Sequence, residues 1–347
     1  MALAINSDRT RVATGQVGLE PMIFVWDAVT AERIELMTLP KGSRSVSALG
    51  FSADGKYIAA ADMSDDHNVH LFDISQRDPR KNKCVHLGAV KKDRKKIFQI
   101  AWSPKTLNSF VSVGLEHIFF WTAGSTGLTG KKAKLPATKP GQKLGFPSVA
   151  FSKTGLALLA GSDGTVYTYN NGAPGKSFKQ THTKMVSCIQ CVPNPINAEE
   201  EIVITGGADK SIHVHLLDAQ KNLKKLLSYL VAATPRSVDL MEDKVLAGLS
   251  NGTILEIKGI MSDPENLQCE IQIRSHYDGE AWGLAMTDDP ERCLYFTSGD
   301  DNTILLYGSR SKRCIGEGRI SIVEDIKQLP PKPKRGGASS MSNQHPH

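Results

Sequence analysis

The sequence predicts an all-β fold, a seven-bladed β-propeller, from three observations. One kind of strand recurs seven times along the 347 residues, each time with a large side chain at the same position. Successive copies lie 42 to 50 residues apart, which suits four short strands and their turns. No segment has the periodicity of a long helix, so each repeat is interpreted as a four-stranded blade. The recurring position is held by Trp26, Phe72, Trp121, Tyr169, His215, Ile257 and Tyr307.

The four strands of one repeat are clearest in the second repeat. They are predicted at residues 47–52, 57–61, 68–73 and 83–87. The second strand is made of small apolar residues, which suits a crowded place near an axis. The fourth is more polar, which suits an edge that meets water. In other repeats, Gly or Asx residues at the corner before the third strand supply the positive φ that tight turns need.

The propeller is predicted to span residues 1–318, with a Pro-, Lys-, Gly- and Ser-rich linker or tail over residues 319–347. The prolines of LPPKPKR (329–335) predict an extended segment, and the composition beyond it predicts disorder. No apolar run reaches 18 residues and no signal-peptide pattern begins the chain, so no membrane partner is predicted. The six cysteines are scattered, which fits reduced thiols.

The repeats resemble WD40 repeats in a degenerate form, since only Val25-Trp26-Asp27 spells the Trp-Asp ending of that family. The resemblance implies a buried network made by a His before the first strand, a Ser or Thr in the second, an Asp at the corner and the Trp. The Trp is replaced in the fifth and seventh repeats, so their networks would be altered. The implied residues are His182, Thr205, Asp209 and His215 in the fifth repeat, and His276, Thr297, Asp301 and Tyr307 in the seventh.

Four stretches carry a more specific resemblance: LAINSDRTRVATGQ (3–16), HIFFWT (117–122), VITGGADKSI (203–212) and HYDGEAWGLAM (276–286). They resemble the first propeller of the echinoderm microtubule-associated protein-like (EMAP-like) family. The resemblance implies a non-enzymatic microtubule-associated protein of the cytoplasm and cytoskeleton, with the cilium axoneme as a further location. The implied partners are tubulin or microtubules and other cytoskeletal or axonemal proteins. Family members carry a second propeller, so a second propeller of the same protein is also an expected partner.

No catalytic or cofactor-binding motif is present, since GxSxG, HExxH and a Walker loop are all missing from the sequence. Residues 206–211 end like a phosphate loop, but Asp209 stands where a glycine is needed. Cys188 and Cys191 have metal-knuckle spacing, but strand residues three apart point to opposite faces, so two core thiols are predicted. His215 stands where an aromatic packs, which favours a hydrogen-bonded core histidine. We therefore predict no catalytic, cofactor-binding or metal-binding residue.

The net charge of +6 is concentrated in particular loops. Residues 77–96 hold nine Lys or Arg against two Asp, and residues 131–143 hold five Lys and no acid. These segments flank outer strands of adjacent repeats, so we expect them near one rim that attracts the acidic tails of tubulin, more weakly as salt rises. The candidate partner-binding residues are Arg77, Arg80, Lys81, Lys83, Lys91, Lys92, Arg94, Lys95, Lys96, Lys131, Lys132 and Lys134.

Other interpretations stay open. A general WD40 scaffold for signalling or ubiquitin-linked complexes would bind its partners independently of the basic loops, which would then be only a solvated surface. An enzymatic propeller would need carboxylates or histidines on a central channel, where the predicted first strands supply mostly Ala, Ser, Val and Leu. Aromatic residues do not interleave with the lysines as single-strand binding requires, which argues against nucleic acid.

Overall fold

The computed structural model describes residues 2–78, 83–90, 94–125, 127–286, 294–308, 311 and 314–319. These residues form 28 β-strands in seven sheets, and none of them lies in a helix. A membrane-spanning helix is accordingly absent from the described residues. The chain divides into two compact units, one that ends at Arg274 and contains six sheets, and one that begins at Ser275 and contains the seventh.

Each sheet consists of four consecutive strands, and neighbours in the sequence pair antiparallel. The first sheet contains β1 Ala2–Ile5, β2 Arg11–Gly15, β3 Met22–Asp27 and β4 Arg33–Thr38. The second contains β5 Val46–Phe51, β6 Tyr57–Asp62, β7 Val69–Asp78 and β8 Lys83–Val90. The third contains β9 Ile97–Trp102, β10 Ser109–Gly114, β11 His117–Gly124 and β12 Gly127–Lys132.

The remaining sheets repeat this plan. The fourth contains β13 Ser148–Phe151, β14 Leu156–Ala160, β15 Val166–Asn170 and β16 Ala173–Phe178. The fifth contains β17 Val186–Pro193, β18 Glu201–Gly207, β19 Ser211–Leu217 and β20 Leu223–Leu230. The sixth contains β21 Pro235–Met241, β22 Lys244–Leu249, β23 Ile254–Lys258 and β24 Gln268–Ile273. The seventh, in the second unit, contains β25 Ala281–Met286, β26 Leu294–Gly299, β27 Thr303–Gly308 and β28 Cys314–Arg319.

Seven sheets of four antiparallel strands confirm the predicted fold class, an all-β propeller of the WD40 type with seven blades. The predicted third strands at 22–27 and 303–308 coincide with β3 and β27. The predicted corners hold residues with positive φ, such as Lys210 at 62° and Asn302 at 57°. The boundary between a propeller and a linker at residue 318 stays a prediction, because residues 320–347 lie outside the described part of the chain.

The third strand of the second sheet is longer than predicted, since β7 continues from the expected end at residue 73 to Asp78. The carboxylate of Asp73 accepts the backbone N–H groups of Ser75 and Gln76, and the register shifts there. Pairing with β8 then resumes opposite Cys84. A side chain that serves as a local acceptor thus lets the hairpin extend past an irregularity.

The first strands of neighbouring sheets lie side by side within the first unit, in the order β1, β5, β9, β13, β17 and β21. Polar side chains on these strands bond across from sheet to sheet. The Gln99 side-chain oxygen accepts the N–H of Val149 at 2.8 Å, and Ser148 Oγ accepts the N–H of Ile189 at 3.1 Å. Their innermost strands therefore tie the third, fourth and fifth sheets together by directional bonds as well as by packing.

Apolar cores fill the spaces between neighbouring sheets of the first unit. Between the third and fourth sheets, Val111 and Ile118 pack in one buried cluster with Phe146 and Leu159. All five residues of β14 are buried, because this second strand has a neighbouring sheet on each face. A strand with a neighbouring sheet on each face favours small and branched apolar side chains, which agrees with the small apolar residues expected for second strands.

Candidate functional site

The two basic segments that flank β8 lie at opposite ends of it. Segment 77–83 leads into Lys83, where β8 begins, and segment 91–96 follows Val90, where it ends. Eight extended residues span about 26 Å, so Arg77 and Lys83 lie at one end of β8 and Arg94, Lys95 and Lys96 follow its other end. Residues 79–82 and 91–93 of these segments lie outside the described part of the chain. The expectation of one rim for all the basic loops is therefore wrong, because an antiparallel strand separates the turn before it from the turn after it.

The segment after β8 does share an end of the third sheet with the lysines of β12. Lys96 directly precedes Ile97, which pairs with Gly114, and Gly114 pairs with His117 at the start of β11. Lys132 pairs with Phe119, close to the same end. The sheet order β12-β11-β10-β9 places Lys96 at the inner edge and Lys132 at the outer edge of this end.

Acidic partners already engage part of this basic surface. The Arg94 guanidinium lies 3.5 Å from the carboxylate of Asp66, and Lys95 Nζ lies 2.8 Å from that of Glu116. Arg94 follows β8 and Asp66 lies in the turn before β7, at the same end of the second sheet, where Val69 pairs with Val90, whereas Glu116 belongs to the third sheet. These pairs hold the segment against its neighbours, so only part of its positive charge faces solvent unopposed.

The other described lysines of the candidate set are exposed. Lys96, Lys131, Lys132 and Lys134 all lie at the surface. The ammonium groups of Lys96 and Lys132 sit 5.8 Å from the ring centroids of Phe98 and Phe119, within the range of cation–π attraction. Arg80, Lys81, Lys91 and Lys92 lie outside the described residues, and for Arg77 and Lys83 only the backbone is described.

The first strands of the first unit line a cavity of about 440 Å³. Its lining includes the hydroxyl groups of Ser47 and Ser187, the amide of Gln190 and the guanidinium of Arg236. Carboxylates and imidazoles are absent from this lining as far as the described residues show it. The cavity thus presents hydroxyl, amide and one cationic group, besides the Ala and Leu side chains that the sequence predicts there.

The fifth sheet assembles the network implied by the WD40 resemblance. His182 Nδ1 lies 3.0 Å from Asp209, His182 Nε2 lies 2.9 Å from Thr205 Oγ1, and that hydroxyl lies 3.2 Å from His215 Nε2. Because a carboxylate only accepts, His182 Nδ1 donates to it, and Nε2 accepts the Thr205 proton. His215 then donates to the same hydroxyl. A continuous donor–acceptor chain results, with His215 in the place of the tryptophan.

A third imidazole completes the fifth-sheet cluster. His213 stacks on His182 with ring centroids 4.1 Å apart, and its Nδ1 lies 2.8 Å from the carbonyl oxygen of Thr181. Burial, together with the neighbouring His182, lowers the pKa of His213 to about 4. Burial and the adjacent His213 lower the pKa of His215 to about 3. Both rings are therefore neutral at physiological pH and act as core residues.

The carboxylate of the fifth-sheet network is ionised. Desolvation acts to raise the pKa of Asp209, but hydrogen bonds from Ser211 and the N–H of Thr183, with His182 beside it, outweigh burial and lower the pKa below its ordinary value. Ser211 Oγ donates at 2.7 Å and the Thr183 N–H at 2.9 Å. The corner is thus held by one anionic acceptor that several donors share.

The seventh sheet repeats the first part of this arrangement. His276 Nδ1 lies 2.9 Å from Asp301, and His276 Nε2 lies 2.9 Å from Thr297 Oγ1. Hydrogen bonds from Thr303 and His276 outweigh desolvation and lower the pKa of Asp301 to about 2. Tyr307 stacks on Tyr295, with ring centroids 5.0 Å apart. The Trp position here supplies a stacked ring.

The second and third sheets contain related networks that the sequence analysis missed. In the third, Trp121 Nε1 donates to Ser112 Oγ at 2.8 Å, and that hydroxyl lies 2.8 Å from His117 Nε2. In the second, His70 Nε2 lies 2.9 Å from Asp62. Both histidines lie on the third strand rather than before the first, so a search for the usual order passes over them. A buried His on the strand that carries the aromatic ending is the signal that would find them.

The two cysteines of the metal-like spacing both lie on β17. Burial raises the pKa of the Cys188 thiol to about 12, and burial together with Glu201 raises the pKa of Cys191. Such thiols are poor ligands and poor nucleophiles at neutral pH, because both roles need the thiolate. A search of the described residues finds no group of three His, Cys, Asp or Glu side chains placed to hold a metal ion.

Comparison with known proteins gives a family match. The profile described as "Echinoderm microtubule-associated protein first beta-propeller" matches residues 1–257. The chain is 32% identical over 350 residues to the ciliary WD repeat-containing protein ctxp80 of Euplotoides octocarinatus, covering 99% of this chain and 44% of that protein. It is 28% identical to human echinoderm microtubule-associated protein-like 4, covering 90% of this chain and 32% of that protein. The chain thus spans less than half the length of these relatives.

Solved structures of other proteins share the fold. A Chaetomium thermophilum Sqt1 structure, bound to the N-terminus of ribosomal protein L10, superposes with a TM-score of 0.58 at 15% identity, covering 92% of this chain and 87% of that one. The structure of U3-55K superposes with a TM-score of 0.56 at 14% identity, covering 72% of each chain. At these identities the likeness concerns the fold alone.

Proposed function

Because the chain belongs to the echinoderm microtubule-associated protein family, by way of that family's first propeller, we propose that it is a non-enzymatic microtubule-associated protein whose propeller binds tubulin directly. The names of its relatives support a microtubule-related or ciliary role. By the same proposal it resides in the cytoplasm on the cytoskeleton, including the cilium axoneme. Other axonemal proteins, and a second propeller of the same protein, are further partners under this proposal.

The proposal of direct tubulin binding rests on the exposed basic end of the third sheet. Lys96, Lys131, Lys132 and Lys134 project from it, and the stretch 131–143 contains no acid. An acidic, extended tail can follow such a surface without a shaped pocket, because long-range attraction needs only charge of opposite sign. Arg94 and Lys95 contribute less than the sequence suggests, since Asp66 and Glu116 accompany them.

Co-sedimentation with microtubules tests this proposal. The purified chain is expected to pellet with microtubules at low salt, and less so as salt rises or after proteolytic removal of the tubulin tails. Changing Lys131, Lys132 and Lys134 to Glu is expected to weaken pelleting about tenfold. A chain that stays in the supernatant at low salt would exclude direct binding by this propeller.

A matched control makes the same change in net charge elsewhere. Lys179, Lys221 and Lys224 are exposed on the fourth and fifth sheets, so their change to Glu alters the charge equally. Equal weakening by both triple variants would mean that net charge, rather than the third sheet, attracts tubulin. Pull-down of non-tubulin proteins by wild type and both variants alike would favour the competing interpretation, a general WD40 scaffold for signalling or ubiquitin-linked complexes.

A further inference from the structure

The cavity lined by the first strands lies at the same end of the first unit as the basic end of the third sheet. Its lining comes from the first residues of six strands, among them Phe98 and Gln99 of β9, Ser148 of β13 and Arg236 of β21. Strand β9 begins directly after Lys96, which belongs to the basic end. The volume of about 440 Å³ falls within the range of small-ligand sites. The cavity and the basic end are therefore neighbours.

Hydrogen bonds between neighbouring first strands hold the polar lining in place. The side-chain oxygen of Gln99 accepts a backbone N–H of β13, and Ser148 Oγ accepts a backbone N–H of β17. Ser187 Oγ donates to the carbonyl oxygen of Pro235, which directly precedes Arg236. One wall of the cavity, from the third sheet to the sixth, is therefore a continuous surface joined by directional bonds.

Three side chains of this wall keep unused hydrogen-bond donors. Because a backbone N–H only donates, the oxygen of the Gln99 amide faces β13, and its NH₂ group is left to donate elsewhere. The Ser148 hydroxyl likewise uses its oxygen as an acceptor, which leaves its proton available. Among the described residues, neither group has an acceptor, and neither does the Arg236 guanidinium. An oxyanion, which only accepts, matches such a surface.

Arg236 gives the cavity a positive charge. The lining contains no Asp or Glu, as far as the structure describes it, and Asp239 on the same strand is paired with Arg9 at 3.0 Å. Burial raises the pKa of the Cys188 thiol to about 12, and the charge of Arg236 acts in the opposite direction. Because Cys188 also lines the cavity, the field of the guanidinium reaches into it. The electrostatic potential there favours an anion.

A lysine-rich loop leads from the outer edge of the third sheet to this cavity. The loop connects β12 with β13 over residues 133–147 and ends beside Ser148. The N–H of Ala133 donates to Ile118, and the N–H of Phe146 donates to Gly114, so both ends of the loop lie against the basic end of the third sheet. The exposed lysines of the loop and of the strand before it are Lys131, Lys132, Lys134, Lys139 and Lys143. A path of positive charge thus reaches the cavity.

Lys96 lies at the mouth of the cavity. Its ammonium group is 5.8 Å from the centroid of the Phe98 ring, and Phe98 belongs to the lining. Acids beside the path are engaged by the chain itself. Glu116 is bound to Lys95 at 2.8 Å, and Asp163 of the fourth sheet accepts a tyrosine hydroxyl at 2.6 Å. The exposed lysines of the path therefore keep a net positive charge.

From these features we propose that the cavity receives a carboxylate of an acidic, extended peptide segment. The segment crosses the basic end of the third sheet along the lysine-rich loop, and its carboxylate accepts hydrogen bonds from Arg236, Gln99 and Ser148. Four strands spaced about 4.8 Å apart make the crossing about 14 Å, or about four extended residues. The inference rests on the proposed function, which identifies the segment as an acidic tubulin tail. It adds a specific contact to the long-range attraction.

Fluorescence anisotropy with labelled synthetic peptides tests the proposal on the full chain. The probe is a peptide of about ten Glu and Gly residues, long enough to cross the third sheet and enter the cavity. A comparison peptide replaces every Glu by Gln. The probe is expected to bind saturably, and the comparison peptide about tenfold more weakly or worse. Equal binding of the two peptides would overturn the proposal, as would no binding of the probe.

Two variants locate the carboxylate in the cavity. Arg236→Gln removes the positive charge, and Gln99→Glu keeps an oxygen for the β13 N–H while placing a negative charge in the lining. Each is expected to weaken binding of the probe about tenfold. An unchanged far-UV circular dichroism spectrum checks that both variants fold.

Matched controls make the same changes of charge outside the cavity. Arg33→Gln lies on the outer strand of the first sheet, and Gln142→Glu lies within the lysine-rich loop; both positions are exposed. Near wild-type affinity in the two controls, with loss in the two cavity variants, supports the proposal. Equal loss in Gln99→Glu and Gln142→Glu would reduce the effect to general attraction and overturn it.

Inorganic phosphate tests a free small anion as the occupant. Thermal melting at matched ionic strength would show a phosphate site if phosphate raised the melting temperature of the wild type but not of Arg236→Gln. That result without binding of the probe would overturn the peptide segment. Displacement of bound probe by phosphate, again lost in Arg236→Gln, would support a shared oxyanion site.

Microtubule pelleting keeps this inference apart from the proposed function. A chain that binds the probe through Arg236 but does not pellet would contradict direct microtubule binding and leave the cavity site in place for another acidic segment. A chain that pellets normally, with probe binding unchanged in Arg236→Gln and Gln99→Glu, would leave the proposed function in place and overturn the cavity site.

Discussion

The fifth and seventh sheets build the same Asp–His–Thr chain of hydrogen bonds but continue it differently. In the fifth, the His182 side chain is fully buried and the chain extends through Thr205 to His215. In the seventh, the His276 side chain is 11% exposed, and the Trp position holds a tyrosine stacked on another ring. The comparison teaches that the Asp–His–Thr part is independent of the residue that replaces the tryptophan. Its contribution to stability should therefore depend on burial.

The largest expected difference comes from removing each aspartate. Asp209→Ala leaves His182 Nδ1, Ser211 Oγ and the Thr183 N–H without their shared acceptor, so we expect a loss of about 3 kcal/mol in the free energy of unfolding. Asp301→Ala should cost about 2 kcal/mol, because the partly exposed His276 can turn to water. Denaturant titration of both variants measures the difference.

A surface aspartate provides the control for that pair. The Asp65 side chain is 84% exposed and bonds to Arg44 at 3.0 Å. Asp65→Ala should cost less than about 0.5 kcal/mol. If Asp301→Ala were as costly as Asp209→Ala, burial of the histidine would not decide the effect, and the comparison would fail.

The next largest expected effect is a loss of folding stability on acidification, through His213 of the fifth sheet. Burial lowers the pKa of His213 from 6.5 to about 4, so between those values the unfolded chain binds protons that the folded protein does not. Stability therefore falls as the pH drops from about 6.5 to about 4. The lowered pKa of Asp209 acts in a different range, because its contribution is lost only below the ordinary value of 3.8.

A variant at His213 isolates the contribution of this histidine to the pH dependence of stability. His213→Phe keeps a ring against His182 and removes one titrating group, so the loss of stability between pH 6.5 and about 4 should become shallower. Thermal melting of the wild type and the variant across that interval measures the two slopes. Identical slopes would mean that the stacked histidine does not govern the acid response.

Removing the threonine hydroxyls should have a smaller effect. Thr205→Val deprives two imidazole nitrogens of a partner, at 2.9 and 3.2 Å, and should cost about 2 kcal/mol. Thr297→Val removes the bond to His276 Nε2 and should cost about 1 kcal/mol. Both changes nearly preserve side-chain volume, so unfolding titrations compare the bonds directly. A reversed order would show that the fifth-sheet chain does not gain from its second histidine.

The smallest expected effect concerns the residue in the Trp position. Tyr307→Phe keeps the stacked ring of the seventh sheet and should change stability by less than about 1 kcal/mol. His215→Phe removes a donor to Thr205 and should cost more, about 1 to 2 kcal/mol. If Tyr307→Phe and His215→Phe shifted the unfolding midpoint equally, a hydrogen-bonded residue and a stacked residue at this position would contribute equally to stability.

The sequence allowed the repeats, most strand positions and the Asp, His and Thr members of both networks to be predicted, because period and corner chemistry are local signals. The third strand at 303–308 is one such case, as is the positive φ at Lys210. The networks around His70 and His117 were missed, since the histidine comes from another strand there. In a sheet that is buried on both faces, similar hydrogen-bond networks can form even when the histidine comes from a different strand of the repeat.

The basic surface was less predictable than the fold. Lysine positions in the sequence locate the charged segments, but the length of β8 decides that Lys83 and Lys96 lie toward opposite ends of the second sheet. The pairing of Lys95 with Glu116 joins residues of two sheets, and sequence order alone does not show such contacts.

The bonds between innermost strands have a consequence for how such a chain can evolve. Gln99 serves Val149 in the next sheet, and Ser148 serves Ile189 in the sheet after it. The third and fourth repeats therefore each satisfy a backbone N–H that belongs to the next repeat. Deleting the fourth repeat in frame would take Ser148 away from the Ile189 N–H and leave Gln99 facing a neighbour it does not bond to in this structure. Gain or loss of a repeat is therefore expected to be followed by substitutions at positions such as Gln99 and Ser148.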